Sequence, residues 1–297
     1  DKQFVAPTYA RFNVAFERGE GSRLYDINGK EYIDCATGIG VNIFGVCDDV
    51  WKSAVTEQLN KIQHTSNLYY SLPQAELAKL LCQKTGAKKV FFGNSGAEAN
   101  ECAIKVARKY GNTKYGRNEI ITLKNSFHGR TIATLSATGQ DEFHKYFDPF
   151  LSGFKYAAPD MDGIISCYTD KTCAVMVECI QGESGVHVLG YDFLRELEKF
   201  CKSRDILLIC DEVQCGNGRT GKMYAYEHAG IHPDIVTTAK GLGGGLPIGA
   251  CMLFEKCADT FSYGDHGSTF GGNPVACAGA VSIIERITDE LLLEVQG

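Results

Sequence analysis

Four short, uninterrupted apolar runs constrain this chain more than anything else in it: "NEIITLKN" (118–125), "CAVMVECI" (173–180), "ILLICDEV" (206–213) and "DIVTTAK" (234–240). A strand that is apolar at nearly every position needs cover on both faces, and that cover comes from helices packed on a parallel sheet. The segments in between supply those helices. "DDVWKSAVTEQLNKI" (48–62), "PQAELAKLLCQKTG" (73–86), "GAEANECAIKVARKYG" (96–111) and "GYDFLRELEKFCKSRD" (190–205) carry apolar residues at helical spacing, and "KKVFFGN" (88–94) adds a further strand. The expected class is α/β, a mostly parallel sheet flanked by helices.

The first fifty residues read differently. "FERGEGSRLYDINGKEYIDCATGIG" (16–40) alternates apolar and polar positions around Gly-rich and Asn-Gly turns, the pattern of antiparallel hairpins. Residues 1–50 are therefore expected to form a small β-element, and 51–297 the main unit. The last stretch, "IIERITDELLLEVQG" (283–297), reads as the interior of one helical pattern with no cap and no closing strand, as in a shortened chain.

Bulk properties narrow the partners. A net charge of −6 over 297 residues, with no run of like charges, argues against nucleic acid and anionic lipid. No stretch reaches the roughly 18 apolar residues of a membrane span, and "DKQFVAPTYARF" lacks the regions of a secretion signal, so a cytoplasmic protein is expected. Thirteen cysteines are scattered through apolar runs, as befits small buried hydrophobes. The nearest pairs, Cys210 with Cys215 and Cys173 with Cys179, lack zinc-knuckle spacing, and no metal is expected.

Chemistry gathers where the strands end. "VFFGNSGAEANECAIKVARKY" takes a strand through Gly96 and Ala97 into a helix, which presents bare N–H groups to an anion. The same stretch also fits a plain capped helix, with Ser95 as N-cap and Glu98 as its capping-box partner. It is neither a P-loop nor a dinucleotide turn, which disfavours a nucleotide-dependent oxidoreductase. Asp211 and Glu212 end one apolar run, at the edge of an open sheet where ligands collect. Lys240 ends another, beside "GLGGG" (241–245), whose glycines let the backbone approach a flat ligand. A partly desolvated lysine loses proton affinity and becomes a Schiff-base amine; otherwise it is a surface residue at a strand end. Phe127 and Arg130 in "LKNSFHGRT" could stack on an aromatic ligand and grip a carboxylate, or sit in the core and in a surface ion pair. His128 between them is a candidate base or a structural histidine.

Taken together, "NSGAEANECAIKVAR", "SFHGRT", "QGESGV", "CDEVQCGNGRTG", "AKGLGGGLPIGA" and "HGSTFGGNPVACAGA" resemble, in order and spacing, the class III aminotransferases, from about residue 8 to the end. These are enzymes of fold type I that depend on pyridoxal 5'-phosphate (PLP). "HTSNLYYSLPQ" makes the chain most similar to the acetylornithine branch of arginine biosynthesis; the ornithine, succinylornithine and 4-aminobutyrate branches share most of the motifs. The resemblance implies that Lys240 bonds the cofactor and moves the reaction's proton, and that Asp211 pairs with the pyridine nitrogen. It further implies that Gln214 reaches the ring hydroxyl, that Phe127 covers the ring, and that Gly96 and Ala97 cradle the phosphate. Thr269 would contact the phosphate from the second subunit of a homodimer, with Ser268 beside it near the substrate. Arg130 would receive a substrate carboxylate, and Glu183 would help one site take both N2-acetylornithine and 2-oxoglutarate.

Some positions depart from the family pattern. "FGVCDDVW" (44–51) stands where a Gly-His-x-His-Pro turn is usual, Ser184 where glycine is, and Cys215 where threonine is common. The C-terminal small domain, with an arginine that pairs with the glutamate matched by Glu183, is expected to be absent, leaving a buried charge there without its partner. A non-catalytic PLP-binding protein is the alternative that this raises.

Overall fold

The computed structural model describes residues 1–297. Twelve strands follow one another along it. Strands β1 (Phe16–Glu20), β2 (Arg23–Asp26) and β3 (Glu31–Ile33) pair antiparallel into a small separate sheet, as the alternation of the first fifty residues predicts. Next come β4 (Lys89–Gly93), β5 (Glu119–Leu123), β6 (Phe154–Ala157) and β7 (Thr172–Val177). A two-residue hairpin, β8 (Ile180–Gln181) with β9 (His187–Val188), precedes β10 (Leu207–Asp211), β11 (Ile235–Thr238) and β12 (Gly249–Leu253).

Seven of these strands make the main sheet in the order β4-β12-β11-β10-β7-β5-β6. Every neighbouring pair from β11 to β6 is parallel. Only β12 runs against its neighbours, entering between β11 and β4. Strands β7, β10, β11 and β12 are buried along their whole length, which is why their sequences are continuous apolar runs rather than alternating ones.

Successive residues of those strands feed two cores. Val175, Val177, Leu208, Cys210 and Val236 face a cluster of 36 buried residues that includes the helices Leu72–Thr85, Tyr191–Arg204 and Pro274–Ile284. Ala174, Met176, Leu207, Ile209 and Ile235 face a smaller cluster against the helix Gly96–Tyr115. Leu194, Leu197 and Cys201, spaced three and four apart, are the buried stripe of Tyr191–Arg204. Nine of the thirteen cysteines are buried, while Cys35 and Cys47 are exposed.

The helical pattern at the end of the chain is divided between two helices. The helix from Pro274 stops at Ile284, and a second, Asp289–Gln296, starts at Thr288, whose side chain accepts the Leu291 N–H. Thr288 followed by Asp289 and Glu290 is an N-cap with two acids in the first turn, a start signal inside what looked like one apolar period.

Candidate active site

Parallel strands deliver their ends to one edge of the sheet, and three of them deliver the site. Asp211 is the last residue of β10, and its backbone is in register with Thr237 of β11, three positions before Lys240. The Asp211 carboxylate is buried and multiply held. Oδ2 accepts from Asn100 Nδ2 at 2.8 Å and from His128 Nδ1 at 2.7 Å, and Oδ1 accepts the Val213 N–H at 3.0 Å. Asn100 is fixed in turn: its Nδ2 also donates to the His128 carbonyl at 2.8 Å, and its Oδ1 accepts the Thr237 hydroxyl at 2.7 Å. A buried carboxylate held by three donors keeps its place.

Lys240 opens a short 3₁₀ turn, Lys240–Leu242, and its ammonium donates to Gln214 Oε1. Burial lowers the lysine pKa, opposed by the negative charges of Asp211 and Glu178. The free amine is thus reached at lower pH than for a solvated lysine.

At the other side, the Gly96–Tyr115 helix begins with its Ser95 cap accepting the Glu98 N–H at 3.2 Å. Glu98 reaches back one residue further than a capping box requires, to the Asn94 N–H at 2.7 Å. A side chain at Gly96 would place its Cβ 2.7 Å from Val213 Cγ1, so this first turn stays bare next to the strand that ends in Asp211.

Phe127 follows β5 and donates its backbone N–H to Glu178 Oε1 at 2.8 Å. Its ring meets Phe143 edge-on, with centroids 5.8 Å apart. The exposed Arg130 guanidinium lies 4.1 Å over Phe143 and 5.4 Å over Phe127. Glu183 corrects the expectation of a buried, unpartnered charge: it is exposed, and Gln140 Nε2 donates to it at 2.8 Å. Ser268 sits beside the helix start, its hydroxyl accepting from Asn94 Nδ2 at 3.2 Å and from the Gly271 N–H at 2.9 Å. Thr269 is exposed, in a small cleft with His64, Asn67 and Asn273, and joins none of these hydrogen bonds. A groove of about 530 Å³ between the helices Asp49–Lys61, Leu72–Thr85 and Pro274–Ile284 contains none of the predicted site residues. The carboxylate and the amine, not the groove volume, locate the site.

Three residues of this region, Glu178, Asn100 and Asn217, escape sequence reasoning. Glu178 lies one position past β7 and is buried, and burial together with Asp211 pushes its carboxyl well above the usual range. Its signal was the same as that of Asp211, an acid at the end of an apolar run, but "CAVMVECI" reads as strand throughout. Asn100 announces itself only as an amide on the buried face of an apolar helix. Asn217, inside "GNGRTG", anchors Thr238 and Ala239 through its side chain. Glu212 faces away from Asp211 and accepts from the Ala225 and Tyr226 N–H groups and the Cys215 thiol, a structural role. Alternation along a strand separates these adjacent acids.

A buried carboxylate, an amine of lowered proton affinity and a bare helix start on one sheet edge are the donor set of a class III aminotransferase. The family "Aminotransferase class-III" matches residues 4–296, and the chain belongs to it. It is 52% identical over 299 residues to an acetylornithine aminotransferase of Haemophilus ducreyi, covering 99% of this chain and 76% of that one. An ornithine aminotransferase structure from Toxoplasma gondii, described with partial occupancy of PLP, superposes with a TM-score of 0.92 at 35% identity, covering 98% of this chain and 70% of that one. An N-acetylornithine aminotransferase structure from Stenotrophomonas maltophilia gives 0.81 at 38% identity, over 96% and 71% of the two chains. The cofactor of the family is PLP. The residues fit it: an acid for a pyridine nitrogen, an amine for an aldehyde, and a helix start whose glycine stays bare against Val213, with the Gly96 and Ala97 N–H groups free of side-chain cover.

Proposed function

We propose that this enzyme transfers the ω-amino group of N2-acetylornithine to 2-oxoglutarate, giving N-acetylglutamate 5-semialdehyde and glutamate, as a step of arginine biosynthesis. The observation that carries the reading is the half-buried Lys240, its proton affinity lowered, in the turn just past the strand that neighbours a fully hydrogen-bonded Asp211. Similarity to acetylornithine aminotransferases over nearly the whole chain supports the choice of donor.

When bound, PLP supplies an electron sink for the carbon that loses its proton and a carrier for the amino group. The remaining work falls to side chains. Lys240 Nζ would take the proton from the amino-bearing carbon and hold it for its return, general acid–base work suited to an amine tuned below its ordinary range. Asp211, oriented by Asn100, His128 and the Val213 N–H, would hold the pyridine nitrogen. Gln214 would hydrogen-bond the ring hydroxyl, Phe127 would cover the ring, and the N–H groups of Gly96 and Ala97 would receive the phosphate. Arg130 takes a substrate carboxylate with its free guanidinium edge. Glu183, tethered by Gln140, adjusts the charge between a cationic donor and a dianionic acceptor. Ser268 borders the substrate, and Thr269 serves the phosphate of a second copy in a homodimer. No helix is long and apolar enough to cross a membrane, and the substrates are small molecules; a cytoplasmic setting belongs to the same proposal.

Borohydride treatment of the PLP-loaded protein, followed by peptide mass mapping, is expected to fix the cofactor on Lys240. Lys240→Ala should lose turnover by at least three orders of magnitude, and retention of the parental rate would sink the reading. Half-reaction spectra with N2-acetylornithine, ornithine and 4-aminobutyrate side by side should show the fastest conversion with the first. Absence of conversion with all three would favour a non-catalytic PLP-binding protein.

A further inference from the structure

Lys240 sits at φ 47°, a left-handed conformation that a non-glycine residue keeps only where its surroundings over-determine it. Two clamps surround it. Before the lysine, the buried Asn217 amide donates to Thr238 Oγ1 at 2.9 Å and to the Ala239 carbonyl at 3.1 Å. After it, the Gly243 N–H closes the turn on the Lys240 carbonyl at 3.0 Å, and the Gly243 carbonyl accepts Trp51 Nε1 at 3.0 Å and the Leu246 N–H at 3.2 Å.

Trp51 is the only tryptophan in the chain and comes from 192 positions away. Its own placement is fixed by charge. Asp48 caps the helix Asp49–Lys61 by accepting the Trp51 N–H at 2.9 Å, and the same carboxylate takes Arg286 through two bonds of 2.8 and 3.1 Å. The Arg286 guanidinium lies 3.9 Å over Phe44. A Cβ on Gly244 would come within 3.1 Å of the indole nitrogen, so the bare glycine run gives the ring its approach. Asp48 and Trp51 both belong to "FGVCDDVW", the stretch that departs from the family's usual turn.

We propose that Trp51 is a positioning residue for Lys240: its indole N–H, aimed by the Asp48–Arg286 pair, holds the Gly243 carbonyl and with it the left-handed turn that presents the amine. The inference rests on the reading of Lys240 as the cofactor amine. Trp51→Phe keeps an aromatic ring while removing the donor and part of the indole's volume. In the cofactor-free protein, amide exchange at Gly243 and Leu246 should quicken about fivefold, the effect of losing one hydrogen bond, with residues 249–253 unchanged. In the loaded protein, kcat should fall about fivefold with the donor KM within twofold, and the pH midpoint of the visible band should move. Asp48→Asn, which keeps the cap acceptor and removes the charge, should shift the same quantities less, and it carries the test if the first variant does not fold. Parental exchange and kcat in both variants, or exchange raised uniformly across the sheet, would overturn the proposal. Trapping of the parent's cofactor on another lysine would instead defeat the reading of Lys240, while the exchange data still decide whether Trp51 holds the turn.

Discussion

At the carboxyl edge of the main sheet, Asp211 is 3% exposed and receives three donors, whereas in the small sheet Arg23 and Glu31 face each other with side chains 58% and 43% exposed. Both are charges on short strands, yet they do different physical work. Removal of any donor around Asp211 leaves a polar group without water to replace it, which is costly. Around Arg23, solvent takes over whatever the ion pair gives up. The buried charge defines a geometry; the exposed one mostly keeps the surface polar.

The largest expected effect that would break this contrast is at the aspartate. Asp211→Asn keeps the shape and removes the charge, and kcat for the half-reaction should fall roughly 10²–10³-fold, the range for a preorganised electrostatic contact. Stopped-flow spectra measure it; a loss below tenfold would make Asp211 an ordinary buried acid.

Glu212 sharpens the comparison, since it is wholly buried but outside the chemistry. Burial, opposed by the hydrogen bonds from Ala225, Tyr226 and Cys215, raises its pKa from 4.5 to about 7. The folded state therefore binds a proton that the unfolded chain releases between about pH 4.5 and 7, and stability contributed by this group is lost as pH rises through that window. Urea midpoints at pH 5, 6, 7 and 8 should fall across the series in the parent. In Glu212→Gln the fall should flatten, and an unchanged slope would assign it to another group. Smallest of all, Arg23→Ala should cost under about 1 kcal/mol and only at low salt; chemical denaturation at two ionic strengths reads it.

The same contrast explains what was legible in the sequence. Continuous apolar runs announce buried strands, so β7, β10 and β11 could be read directly, with the charged residues that close β10 and follow β11. Asp211 and Lys240 stand out because charge interrupts such runs. Asn100 and Asn217 do not, because an amide carries no mark of the partner it will find far along the chain. Thr288 was hidden in an apolar period that continues across the break between two helices. Glu178 shows the limit most plainly: being buried beside Phe127 depends on how β5 and β7 are aligned, and that alignment is tertiary information.

The reversed strand β12 has a consequence for the order in which the protein can be made. Strand β4 pairs with β12 alone, Gly93 opposite Gly249, 156 positions later. A ribosome that has released β4 and the Gly96 turn must therefore extend the chain through β5, β6, β7, β10 and β11 before that edge finds its mate. The segment bearing Lys240 emerges just before the strand that pairs with β4 ahead of the Gly96 turn, so the two halves of the proposed cofactor site become neighbours almost together, late in synthesis. Long-range pairing of this kind is slow and leaves an open strand edge in the meantime. The nascent chain is most exposed to aggregation, and most in need of a chaperone, before Leu253 has cleared the ribosome.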